Sequence, residues 1–99
     1  MVRRLWVDDL RNPPNDEYVI VRTYDDAIAR LSEEQFDEIY LDHDLADFKD
    51  GKERTGYDVA LWLAERRYNG GHTPQHYFLL TANSAGRKRL IALIERYLT

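Results

Sequence analysis

A chain of 99 residues, 43% of them hydrophobic and 12% aromatic, has material for one core and is too apolar to be disordered. Its net charge of −4 offers no overall attraction to DNA or to anionic membranes, so nonspecific DNA binding is excluded and a phosphate has to be held through a metal ion or a local arginine cluster. With no cysteine there are no disulfides, thiolate nucleophiles or cysteine-based zinc sites, and no apolar run reaches the length of a membrane span; a cytoplasmic home is the simplest expectation.

In chain order, Leu5-Trp6-Val7 is a short strand closed by Asp8-Asp9, a better first strand than a signal peptide. Arg11-Asn12-Pro13-Pro14-Asn15 reads as a loop and the β-branched YVIVRT, Tyr18 to Thr23, as a second strand. Thr23-x-x-Asp26 is a helix start, and Tyr24, Ala27, Ile28 and Leu31 recur at helical spacing to an end near Glu33 or Glu34. EIYLD, Glu38 to Asp42, is the third strand. After it, Asp47, Lys49, Asp50 and Gly51 argue for an irregular loop. Thr55-x-x-Asp58 opens a second helix with the stripe Tyr57, Ala60, Leu61, Ala64 and Tyr68, widened by Val59, Trp62 and Leu63; Gly70-Gly71 and Pro74 end it. YFLLTA, Tyr77 to Ala82, is the last strand. Ser84 is expected to cap a final helix carrying Leu90, Ile91, Ile94, Tyr97 and Leu98 on one face.

Apolar strands alternating with helices imply a parallel sheet covered by helices. The expectation is one α/β domain over residues 1–99: a three-layer, receiver/flavodoxin-like fold with a short four-stranded, mainly parallel sheet and three helices. In such sheets ligands bind beyond the carboxyl ends of the strands. The residues there are Asp8-Asp9, Asp42-His43-Asp44 and Thr81-Ala82-Asn83.

Asp8, Asp9 and Asp42 would then form a site for a hard divalent cation, Mg²⁺ or Mn²⁺, which takes oxygen ligands and relieves the mutual repulsion of the carboxylates. The bland reading is that acids at strand ends only cap loops and helices. His43 has two readings: a general acid or base beside Asp42 and Asp44, or a side chain that strand alternation sends away into packing against a helix. Asp44 either joins the site or orders the loop above it. Thr81 and Asn83 offer hydrogen bonds toward the same rim, and Arg11 and Arg87 are candidates to grip a phosphate, against a plain surface role. His72 and His76 lie in or beside a Gly/Pro loop and read as solvated; Trp6 and Trp62 read as core. There is no P-loop, no G-x-G-x-x-G and no G-x-S-x-G elbow.

LWVDD, the stretch from YVIVRT to YLDHDL, and LLTAN resemble, in order, the acidic first strand, the phosphoacceptor region and the hydroxyl-bearing strand of response-regulator receiver domains. Two departures stand out: Leu10 to Glu17 is a Pro-rich loop where receivers have a helix, and neither a further strand nor the receiver lysine follows Thr81. A more specific resemblance is to a compact receiver-like family proposed to process cyclic phosphates, which pairs W-x-D-D-x-R-x-P with L-D-H-D-L, T-G-Y-D and H-S-x-N-P-x-G. The first three read Trp6 to Pro13, Leu41 to Leu45 and Thr55 to Asp58; in the fourth, Leu80, Thr81 and Ser84 replace histidine, serine and proline, while Asn83 and Gly86 are kept.

The resemblance implies metal-dependent hydrolase chemistry on a cyclic or terminal phosphate of a nucleotide or RNA end. Asp8, Asp9 and Asp42 would hold the metal, His43 or Asp44 would move the proton, and Thr81, Asn83, Arg11 and Arg87 would position the phosphate. The alternative is a non-catalytic, degenerate receiver that binds a protein or ligand as a signalling module. A TOPRIM-like nuclease fragment is a third reading, although that fold wants a glutamate after its first strand.

Overall fold

The computed structural model describes residues 1–99. The elements are β1 (Arg4–Val7), β2 (Tyr18–Val21), α1 (Tyr24–Glu33), β3 (Glu38–Leu41), β4 (Asp47–Lys49), β5 (Lys52–Arg54), α2 (Gly56–Tyr68), β6 (His76–Leu79) and α3 (Ser84–Tyr97). Four strands form one parallel sheet in the order β2-β1-β3-β6, as the α/β reading requires. No helix is long and apolar enough to cross a membrane.

Alternation along these strands sorts two kinds of side chain. Leu5, Val7, Val21, Ile39 and Leu41 join the buried core with Ala27, Leu31, Phe36, Val59, Leu63, Leu90 and Ile94, and Val19, Tyr77 and Leu79 pack against it. Their neighbours Arg4, Trp6, Tyr18, Ile20, Glu38, Tyr40, His76 and Phe78 therefore share the opposite face. No helix covers that face. The connections β2-α1-β3 and β3-α2-β6 advance across the sheet in the same direction, and right-handed crossovers then put both helices on one side. α2 packs against both α1 and α3 there. The step from β1 to β2 runs the other way, so a helix in it would cover the second face, but residues 8–17 form no helix. The receiver-like class, the four parallel strands and the three helices are as expected; the layering is two rather than three.

Helix starts follow the sequence closely. In α1, Thr23 accepts from the Asp26 N–H at 3.2 Å. In α2, Thr55 Oγ1 accepts from the Asp58 N–H at 3.4 Å, and Asp58 Oδ2 accepts from the Thr55 N–H at 2.8 Å, a complete capping box. Thr55→Ala is expected to lower stability by about 1 kcal/mol, read as a lower midpoint in urea with an unchanged slope. An unaltered midpoint would remove the cap from the account of this helix.

Two expectations change. Asn83, not Ser84, caps α3: its Oδ1 accepts from the Gly86 N–H at 3.0 Å, placing Ser84 as the first helical residue. The segment after β3 contains an antiparallel hairpin, β4–β5, rather than an irregular loop. Asp50 and Gly51 have φ of 53° and 77°, so Asp-Gly makes a two-residue turn with both residues in the left-handed region. Asp47 Oδ2 anchors the hairpin by accepting from the Tyr24 N–H at 2.9 Å.

Candidate metal centre at the strand ends

The sheet ladder runs one residue past the strands. The Asp42 N–H donates to the Val7 carbonyl at 2.9 Å, and the Leu80 N–H to the Leu41 carbonyl at 3.0 Å. Asp8 and Asp42 are thereby held side by side at the carboxyl edge, both almost fully buried. Oxygens of Asp8, Asp9 and Asp42 lie within 4.8 Å of one another, the convergence expected from the topology.

Asp8 divides its two oxygens. Oδ1 accepts from the Leu10 and Arg11 N–H groups at 2.9 and 3.0 Å, which is the loop-capping role. Oδ2 is buried without a hydrogen-bond partner, its nearest cation being Arg11 Nε at 3.6 Å. Burial, and then the charge of Asp8, push the Asp42 carboxyl above the ordinary aspartate value; the Asp44 and His43 N–H groups and the Arg11 guanidinium pull the other way. A buried pair of carboxylates that share one flanking arginine and keep an oxygen free of hydrogen bonds fits a hard divalent cation such as Mg²⁺ or Mn²⁺.

His43 lies on the other side of the strand. Its ring rests against Gly86 at the start of α3, where a Cβ would come within 2.6 Å of Cγ. Nδ1 is 2.9 Å from Asp44 Oδ1, and Nε2 is buried without a partner. Asn83 Nδ2 donates to Asp44 Oδ2 at 3.4 Å, so His43, Asp44 and Asn83 form one chain of contacts. Asp44 is the exposed member of this group. Thr81 is buried, and its Oγ1 accepts from the Asn83 N–H at 3.0 Å.

The two arginines separate. Arg11 Nη1 donates to the Leu80 carbonyl, so its side chain bridges the ends of β1 and β6 beside the carboxylates. Arg87 is exposed in the first turn of α3 and makes no ion pair; nothing ties it to the cluster. Arg22, which sequence reasoning passed over, donates from Nη1 to the carbonyls of Asp8 and Arg11 and from Nη2 to Asn12 Oδ1, fixing the Pro-rich loop. Its signal was a cation directly after an apolar strand. His72 and His76 are both exposed, as expected: His72 has Nε2 3.0 Å from the Phe36 carbonyl, and His76 opens β6 directly after the Gly/Pro loop.

The shared motifs now have physical roles: the W-x-D-D-x-R start builds the carboxylate pair and its arginine, and T-G-Y-D caps α2. A sequence model of the cyclic-phosphate processing receiver domain family matches residues 3–96. The chain belongs to this family. No curated protein and no solved structure matches it. In this cyclic-phosphate processing receiver domain, Gly56 and Gly86 are the glycines that the site needs, since each lets a helix N-terminus approach the Asp42-His43 strand end.

Proposed function

We propose that this domain hydrolyses a cyclic or terminal phosphate of a nucleotide or RNA end at a divalent-metal centre on Asp8, Asp9 and Asp42. The observation that carries the reading is the convergence of those carboxylates around the partnerless Asp8 Oδ2. Mg²⁺ or Mn²⁺ bound there would supply charge neutralisation at the phosphoryl oxygens and a more acidic water. Asp8 and Asp42 hold the site, with Asp8 stiffened by the two N–H groups of its own loop. Arg11, anchored on the Leu80 carbonyl, sits where it can pair with a phosphate oxygen. Asp44, exposed at the rim, takes the proton of the attacking water. His43 and Asn83, bonded to its two oxygens, are positioning residues. In the ring opening, a water oxygen bonds to phosphorus, one phosphorus–ribose oxygen bond breaks, and the released oxygen takes a proton, leaving a phosphomonoester.

The test is incubation of the chain with 2′,3′-cyclic nucleotides and Mg²⁺ or Mn²⁺, following phosphomonoester formation alongside a thermal-shift titration with each metal. Metal-dependent product and a raised midpoint are expected, both lost on addition of a chelator. Product formation that is indifferent to the chelator would overturn the metal-centre reading. Stabilisation by neither metal nor nucleotide would point to the non-catalytic signalling module instead.

A further inference from the structure

The sheet face without helices carries an ordered aromatic row. Trp6, Tyr40 and Phe78 are register partners across β1, β3 and β6. The rings of Trp6 and Tyr40 lie 5.7 Å apart at 24°, and those of Tyr40 and Phe78 4.6 Å apart at 12°. Such separations follow the spacing of neighbouring strands, about 4.8 Å, so the rings stand upright on the sheet and each covers the flat face of the next. At one end the row is buried: Trp6 is 7% exposed, its Nε1–H donates to the Arg11 carbonyl at 3.0 Å, and Tyr18 braces the row from the side, edge-on to Trp6 at 5.5 Å and to Tyr40 at 5.2 Å. At the other end it stops at Phe78, because β6 is the edge of the sheet. Phe78 keeps one ring face on Tyr40 and is 41% exposed.

This row is continuous with the metal centre. Two residues further along the same strands come Asp8, Asp42 and Leu80, still in ladder register. By alternation Asp8 and Asp42 leave the strands on the same side as Trp6 and Tyr40. A base on the outer ring face of Phe78 would lie about 10 Å across the sheet and about 7 Å along it from Asp42, a span that one nucleotide covers together with a metal ion between its phosphate and the carboxylate.

We propose that Phe78 is the docking platform for the base of the bound nucleotide, which continues the Trp6–Tyr40–Phe78 stack as its next ring. That the ligand is a nucleotide rests on the phosphate reading above; that it stacks here rests on the unfinished row. Charge limits how much of the ligand is held. Arg4, the arginine on this face, is tied to Glu38 at 2.9 Å and Glu17 at 3.7 Å. A length of strand needs a track of cations along its backbone. The site therefore takes one terminal base and not a polynucleotide.

The test is an NMR titration of the full chain with adenosine, which has no phosphate, and with ribose 5-phosphate, which has no base. Adenosine without metal is expected to shift the ring resonances of Phe78 and Tyr40, and ribose 5-phosphate to leave them in place. Phe78→Ala should weaken adenosine binding roughly tenfold, as loss of one base–aromatic stack does, and Phe78→Tyr should retain it. Should Phe78→Ala fail to fold, Phe78→Leu keeps the apolar bulk without the ring and should show the same weakening. Addition of a chelator should leave adenosine binding unchanged while it removes any metal-dependent product, so failure of the metal centre and failure of the base platform read out separately. Unshifted Phe78 ring resonances, or equal affinity in Phe78→Ala, would overturn the proposal. So would sedimentation showing that Phe78→Ala dissociates a dimer, since a second copy would then cover this face.

Discussion

Asp42→Asn is expected to raise the melting temperature of the metal-free chain at neutral pH and to abolish its response to Mg²⁺ or Mn²⁺. The two halves of this result have one cause. Burial and the adjacent Asp8 push the Asp42 carboxyl upward in the folded chain, so folding favours its protonated form. A raised acid leaves stability intact below the unfolded value, about 3.9, and removes it as pH climbs through the folded value. Once the pH has passed the folded value the wild type carries that loss, and Asn, which never ionises, escapes it. The advantage of the variant should thus shrink and vanish as the pH is lowered below about 4. A cation bound as proposed would reverse the balance by neutralising the pair. For the wild type at a hundredfold excess of metal over its Kd, this is about 2.7 kcal/mol of stabilisation, of the order of 10 °C for a domain this size. The variant should show none of it, and phosphomonoester formation should fall by roughly a hundredfold or more. Melting curves across pH with and without metal check all parts. A variant that still melts higher with Mn²⁺ would remove Asp42 from the metal centre.

Gly56→Ala is expected to be among the most destabilising single-methyl additions in the chain. A Cβ at Gly56 would lie 1.9 Å from the Asp42 carbonyl oxygen, 2.9 Å from its carbon and 3.2 Å from His43 Cα. All three are backbone atoms of the β3 end, which cannot swing aside as a flexible side chain would. The Gly56 N–H also donates to the His43 carbonyl at 2.8 Å, clamping the first turn of α2 onto that strand end. Alanine gains roughly 1 kcal/mol over glycine in helix propensity. Displacing a packed helix costs about 3 kcal/mol or more, so the clash wins. The urea midpoint should drop strongly, and metal binding should weaken with it because the displaced backbone carries Asp42. A midpoint close to wild type would mean that α2 can move off the strand at little cost.

The candidate site was legible in the sequence where it depended on strand ends. Asp8, Asp9 and Asp42 follow apolar runs, and in a parallel sheet such positions meet at one edge whatever the details of packing. Arg11 was legible for the same reason, sitting just past the first acidic pair. Arg87 rested on different ground, its place in the first turn of a helix, and the structure leaves it exposed there with no ion pair to the cluster. The hairpin was readable and was missed, because the Asp50-Gly51 turn lies between strands of only three charged or exposed residues each, too short for alternation to register.

Outside the hairpin, local chemistry thus determined the element types, the helix starts at Thr23 and Thr55, and the row of acids, since each rests on residues a few positions apart. Contacts between distant parts of the chain decided the rest. His43 turns toward Gly86, far away in sequence, because alternation takes it to the helical side while Asp42 stays on the other. The helices gather on one face because two right-handed crossovers advance in the same direction, a property of strand order that no window of sequence contains. That same geometry leaves no helix over the Trp6, Tyr40 and Phe78 row beside the carboxylates; Trp6 is buried, as its core reading expects, and Phe78 is the exposed end.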